Sequence, residues 1–148
     1  MDYSREYNEF LNKDIYGLEA IAKDEIALIR KELSREGLSE GDITDIILEL
    51  VLLFVDTFDN RRNLVFVKRI MNFADSFDSE ANYYLRSVKA HQDEIVEKFV
   101  GDIVYKLDSG LKAFYSCLGL CVASVKGHLT AKDKELYTLL REGWEKYY

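Results

Sequence analysis

Apolar residues recur every three to four positions along almost the whole chain, which is the spacing of one face of an α-helix. No stretch alternates convincingly with the period of two that a half-buried strand requires. The pattern predicts an all-α protein, a single-domain bundle or orthogonal array of six to seven helices over residues 1–148. The predicted helices cover about residues 4–13, 18–36, 42–58, 60–75, 80–107, 111–125 and 130–148. The third has a wide apolar face and is the expected centre of the core.

The longest predicted helix covers residues 80–107. About 28 helical residues extend roughly 42 Å, whereas a globule of this size is about 40 Å across. We therefore expect this helix to cross the whole domain, to bend, or to project towards a partner. Gly101 is a candidate for a kink or a close packing contact. Tyr83 and Tyr105 lie off the apolar stripe of the helix, and tyrosines in such positions are enriched at protein interfaces.

Acidic residues are concentrated in the first part of the chain. The net charge is −7, and residues 1–60 carry 15 acids and 6 bases, a balance of −9. This balance argues against nucleic acid as a direct ligand, because phosphates need lysine and arginine partners. It is typical of a hydrated acidic face or of a surface that attracts a basic partner. The acids opposite the apolar face of the third predicted helix are Asp42, Asp45, Glu49 and Asp56.

Positive charge is strongly concentrated in one place. The basic residues of this cluster are Arg61, Arg62, Lys68 and Arg69. Arg61 and Arg62 fall near the start of a predicted helix, where the helix dipole disfavours cations. These residues either contact an anion or an acidic partner, or form ion pairs with the excess acids of the second and third helices. The excess of acids in the chain favours the ion pairs.

Few residues are available for metal or acid–base chemistry. His91 and His128 each follow a valine three positions earlier, so the Glu-x-x-His spacing of a bundle di-iron site is absent. Cys117, Cys121 and His128 have spacings that would align them on one helix. Gly127 is expected to end that helix before His128, and no fourth ligand is evident, so a core of buried thiols is favoured over zinc. We therefore expect no metal, no cofactor and no enzymatic activity.

The uncharged runs of the chain are short. The longest are residues 50–55 and 113–125, six and thirteen residues, whereas a membrane-spanning helix needs about 20. The first residues lack the basic and apolar regions of a secretory signal. The two cysteines lie four apart in one predicted helix, where disulfide geometry is poor. Free thiols are typical of a reducing compartment, so we expect a cytoplasmic protein that enters no membrane.

Two loops, residues 35–43 and 125–133, have related sequences. In each, a glycine ends one predicted helix, and a hydroxyl residue followed three positions later by an acid caps the next. These residues are Gly37, Ser39 and Asp42 in the first loop and Gly127, Thr130 and Asp133 in the second.

The same loops resemble the half-motif of TerB-like domains, which are associated with tellurite resistance. The resemblance covers roughly 35 residues around each loop. It implies a small helical domain that binds a divalent metal or another ligand, with Glu36 and Asp42 as the acidic groups. The second loop departs from the family pattern, because Lys126 replaces the acid and His128 is inserted.

Taken together, these features predict a small acidic protein that acts by binding other proteins. We expect it to self-associate as a homodimer or to inhibit a partner through its acidic face. The alternative is the TerB-like domain that binds a divalent metal or ligand. The expected interaction surface consists of Tyr83, Tyr105, Asp42, Asp45, Glu49, Asp56, Arg61 and Arg62.

Overall fold

The fold is all-α, as the sequence predicts. The computed structural model describes residues 2–103 and 111–147, and within these ranges there are eight α-helices and no strand. The helices are α1 (Ser4–Leu11), α2 (Ile15–Arg35), α3 (Glu40–Leu53), α4 (Arg61–Met71), α5 (Ala81–Ala90), α6 (Gln92–Lys98), α7 (Leu111–Ser124) and α8 (Ala131–Tyr147). A 3₁₀ turn, Asp75–Ser79, precedes α5, and a π-helical turn, Phe99–Ile103, follows α6. No helix among the described residues is long and apolar enough to cross a membrane.

Helix α7, rather than the expected third helix, lies at the centre of the core. It packs against α1, α2, α3, α4 and α8, most extensively against α2 and α8. Residues 115–124 are buried except for the half-buried Cys117, because this helix is apolar or small on every side. The ring of Tyr115 meets Phe99 edge to face, with 5.5 Å between ring centroids. Helix α3 is also largely buried, but its acidic side faces solvent.

Helix α3 ends five residues before the predicted end. The apolar pattern continues through Phe54, Val55 and Phe58, and all three side chains are buried, but they belong to the connection to α4. The Lys89 ammonium donates a hydrogen bond to the Leu53 carbonyl at 2.8 Å and so caps the end of the helix. Periodicity therefore predicted the burial of these residues correctly and their helical conformation wrongly.

The long helix predicted over residues 80–107 is interrupted. His91 has the non-helical angles φ −122° and ψ 26°, and it separates α5 from α6. Its ring Nδ1 lies 3.0 Å from the Ser87 carbonyl, in the last turn of α5. The local charges suit this break, since Lys89 lies in the last turn of α5 and Asp93 and Glu94 lie in the first turn of α6. This interruption also accounts for the eighth helix.

The helix ends predicted in the two related loops are confirmed. Ser39 Oγ accepts a hydrogen bond from the Asp42 amide at 3.2 Å. Thr130 and Asp133 cap each other reciprocally at 3.1 and 2.9 Å. The preceding glycines, at positions 37 and 127, both have φ of 85°, a left-handed conformation that is strained for other residues.

Candidate binding groove

An open groove of about 420 Å³ lies between α3 and the α5–α6 segment. Its lining residues are Asp45, Leu48, Glu49 and Leu52 from α3, and Tyr83, Tyr84, Ser87, Val88, His91 and Ile95 from the other side. Three of the predicted interaction residues, Asp45, Glu49 and Tyr83, are therefore brought together in one place.

Aromatic rings form one wall of the groove. Tyr83 is 67% exposed and Tyr84 is 38% exposed, so both rings are accessible to a ligand. Tyr84 lies nearly parallel to the buried ring of Phe77, with an interplanar angle of 8° and centroids 6.1 Å apart. Tyr83 meets Tyr84 edge to face at 5.7 Å. The exposed rings thus rest on an aromatic residue anchored in the core.

Carboxylates form the opposite wall. Asp42, Asp45 and Glu49 are spaced three and four residues apart, which places them along one side of α3. Asp42 and Asp45 are exposed, although Asp42 does not line the groove. Glu49 lies 3.5 Å from the Lys98 ammonium, and both side chains remain accessible. Within the described ranges Asp45 forms no ion pair, so its negative charge is available to a ligand.

The remaining predicted interaction residues lie elsewhere. Asp56 follows the end of α3 and pairs with Lys126 at 2.7 Å. Arg61 and Arg62 are exposed at the start of α4, and Arg61 is 3.6 Å from Asp78. Tyr105 lies outside the described residues.

Acids surround most of the positive charge on α4. Lys68 contacts Asp75 at 2.7 Å and Asp78 at 2.8 Å, and these contacts raise the pKa of its ammonium group. Arg69 donates to both carboxylate oxygens of Glu19 at 3.0 Å. This arrangement favours the ion-pair interpretation of the basic residues over an anion site.

Cys117 and Cys121 lie in the apolar helix α7, as the sequence predicts. Burial raises the pKa of Cys117 to about 11 and also raises that of Cys121, which opposes thiolate formation.

Among the residues that the structure describes, no group of three or more His, Cys, Asp or Glu side chains is arranged to hold a metal ion. His128 is exposed. The metal-binding alternative therefore has no ligand set in this part of the chain.

Sequence patterns missed one unusual acid, Glu25 on α2. Its Oε2 atom is buried and has no hydrogen-bond partner in the described structure. Burial raises the pKa of this carboxyl to about 7, and the nearby charge of Asp24 adds to the effect. Glu25 lies at the edge of the apolar stripe of α2, which was the only signal that could have found it.

We predict that Glu25→Gln stabilises the protein at about pH 8 but not at about pH 4. A carboxyl whose pKa rises from 4.5 to about 7 on folding stabilises the fold only while it is protonated, so that contribution is lost between these values. Because the side chain is only half-buried, the expected gain at pH 8 is about 1–2 kcal/mol. Urea denaturation at both pH values measures it, with exposed Glu36→Gln as the control. An equal gain at both pH values would contradict the assignment.

Comparison with known proteins adds no information about the family or function of this chain. The chain matches no protein-family model, no curated protein and no solved structure. The resemblance of the two loops to TerB-like domains therefore receives no support from a family match.

Proposed function

We propose that this protein is a non-enzymatic cytoplasmic regulator that binds a basic partner protein through the groove between α3 and the α5–α6 segment. The observation that carries the proposal is the exposure of Tyr83 beside the carboxylates of Asp45 and Glu49 in one groove. Tyrosine is among the residues that contribute most to binding at protein interfaces, because it combines a large apolar area with a polar end.

The charge of the chain supports a basic partner over a second copy. With a net charge of −7, two copies repel each other, whereas a basic protein is attracted and associates faster. Three of the cations on α4 already contact acids of the same chain. Fewer cations are therefore available to bind the acidic groove of a second copy. Self-association stays a prediction, and it is the alternative outcome of the experiment below.

Two free thiols support the proposed compartment. Cys117 and Cys121 are unpaired in the structure, as expected in a reducing environment. A regulator in that compartment would act by covering the basic surface of its partner with its own acidic wall, which would exclude other anionic molecules from that surface.

Partner capture from an extract of the source cells tests the proposal. The protein is compared with the triple variant Asp45→Asn, Glu49→Gln and Tyr83→Ala, and captured proteins are quantified by mass spectrometry. We expect basic proteins that the parent retains and the triple variant loses by about tenfold or more, which corresponds to about 1.4 kcal/mol. Sedimentation equilibrium of the purified parent is expected to show a monomer.

The control variant is Tyr16→Ala, which removes another exposed tyrosine outside the groove lining, and it should capture the same proteins as the parent. Equal capture by the parent and the triple variant would overturn the proposal. A dimer that the triple variant disrupts would instead make a second copy the occupant of the groove.

A further inference from the structure

Polar groups around the groove are suited to accept hydrogen bonds. The carboxylates of Asp45 and Glu49 accept only. The Nδ1 atom of His91 lies 3.0 Å from the Ser87 carbonyl, and a carbonyl can only accept, so Nδ1 carries the proton. In the neutral ring, Nε2 is then an acceptor. The hydroxyls of Tyr83, Tyr84 and Ser87 can donate or accept, but no lysine or arginine lines the groove, so a ligand has to supply the positive charge that the carboxylates attract.

The groove also has an apolar floor. Leu48, Leu52, Val88 and Ile95 are buried beneath the polar rim. Such a floor can accommodate the methylene groups of a long side chain while the charged end contacts the carboxylates. The exposed ring of Tyr83 supplies a face against which a planar cation can stack.

We propose that the groove binds an arginine side chain from a basic segment of the partner, with the guanidinium group on the Asp45 and Glu49 carboxylates and against the Tyr83 ring. This inference rests on the proposed function and names the chemistry that the groove recognises. The arginine competes with Lys98 for Glu49, a contact that is long at 3.5 Å and accessible to solvent.

Arginine fits this arrangement better than lysine. The guanidinium group has five donors in a planar fork and no acceptor, which matches acceptors on both sides of a groove. It is also more weakly hydrated than an ammonium ion and stacks on aromatic rings. A lysine ammonium can also bridge two carboxylates, as Lys68 bridges Asp75 and Asp78 in this protein, but it has no planar group to stack on the Tyr83 ring.

Fluorescence anisotropy with labelled nona-arginine and nona-lysine peptides tests this inference at low and high salt. The variants are the double variant Asp45→Asn with Glu49→Gln, and Tyr83→Leu. The matched control is Asp93→Asn with Glu97→Gln, which removes two charges from exposed positions on α6 outside this groove. Thermal unfolding followed by circular dichroism establishes that each variant is folded.

We expect nona-arginine to bind the parent at least fivefold more tightly than nona-lysine. The groove double variant should lose about tenfold in affinity, Tyr83→Leu about threefold, and the control double variant less than twofold. Binding should weaken at high salt, because the exposed charges are screened.

Two outcomes would overturn the inference. Equal losses in the groove and control double variants would show that peptides bind the net negative charge rather than this groove. Absence of nona-arginine binding to the folded parent would also reject the arginine site. In either case the partner-capture experiment decides separately whether the groove binds a protein, so the two proposals fail on different results.

Discussion

Replacing Gly119 by alanine is expected to destabilise the protein, although alanine is the better helix former. A Cβ atom at this position of α7 would clash with the Cε2 and Cζ atoms of the Phe54 ring. Phe54 is 1% exposed, and side chains in a protein core are close-packed, so a shift of its ring has to displace neighbouring side chains. The overpacking exceeds the helix-propensity gain of about 1 kcal/mol, and we expect a net loss of about 2 kcal/mol. Gly119→Val should lose about 4 kcal/mol.

Chemical denaturation of the Gly119 variants measures these losses, and Gly41→Ala is the matched control. Gly41 also lies in a helix, but a Cβ atom added there would meet no atom of another element within 4 Å, so its replacement should stabilise the protein by up to about 1 kcal/mol. Phe54→Leu combined with Gly119→Ala should cost less than the sum of the two single changes, because the smaller side chain relieves the contact. A Gly119→Ala variant as stable as the parent would refute the packing of the Phe54 ring against α7.

Removal of the Asp133 carboxylate is expected to have a comparable effect. Its side chain is 3% exposed, and it lies 2.6 Å from the Lys126 ammonium, which is itself only 13% exposed. It also accepts the Thr130 amide hydrogen bond that begins α8. Asp133→Ala therefore leaves a nearly buried lysine with one partner fewer and removes a helix cap. The expected loss in the free energy of unfolding is about 3 kcal/mol.

Asp56→Ala is the matched control, since the same ammonium contacts Asp56 at 2.7 Å. That carboxylate is 47% exposed, so its loss should cost less than about 1 kcal/mol. Urea denaturation of both variants under identical conditions makes the comparison. Equal losses in the free energy of unfolding from the two variants would contradict the conclusion that burial, rather than the ion pair alone, determines how much Asp133 stabilises the protein.

Local residue patterns allowed much of the secondary structure to be predicted. Gly37 and Thr130 sit at helix ends because left-handed backbone and N-terminal capping depend on residues adjacent in the chain. Tyr83 could be placed off the buried stripe of its helix for a similar reason, since the faces of a helix follow from spacing. Spacing also placed Asp45 and Glu49 together on one side of α3.

Long-range contacts account for what the patterns missed. The end of α3 at Leu53 is capped by Lys89, a residue 36 positions away. The groove exists because α5 and α6 pack beside α3, so its lining by His91 and the separation of Asp56 and Arg61 from it could not be predicted. The shifted pKa of Glu25 likewise depends on how the surrounding helices bury it.

By itself, the sequence determined the all-α class, the helix caps and the acidic side of α3, because each depends on residues within about one or two helical turns. The tertiary structure decided that α7 is central, that the helix over residues 80–107 is interrupted at His91, and that acids and tyrosines share a groove. These features depend on which helix faces meet, and the free energy of packing is gained between residues that are distant in the chain.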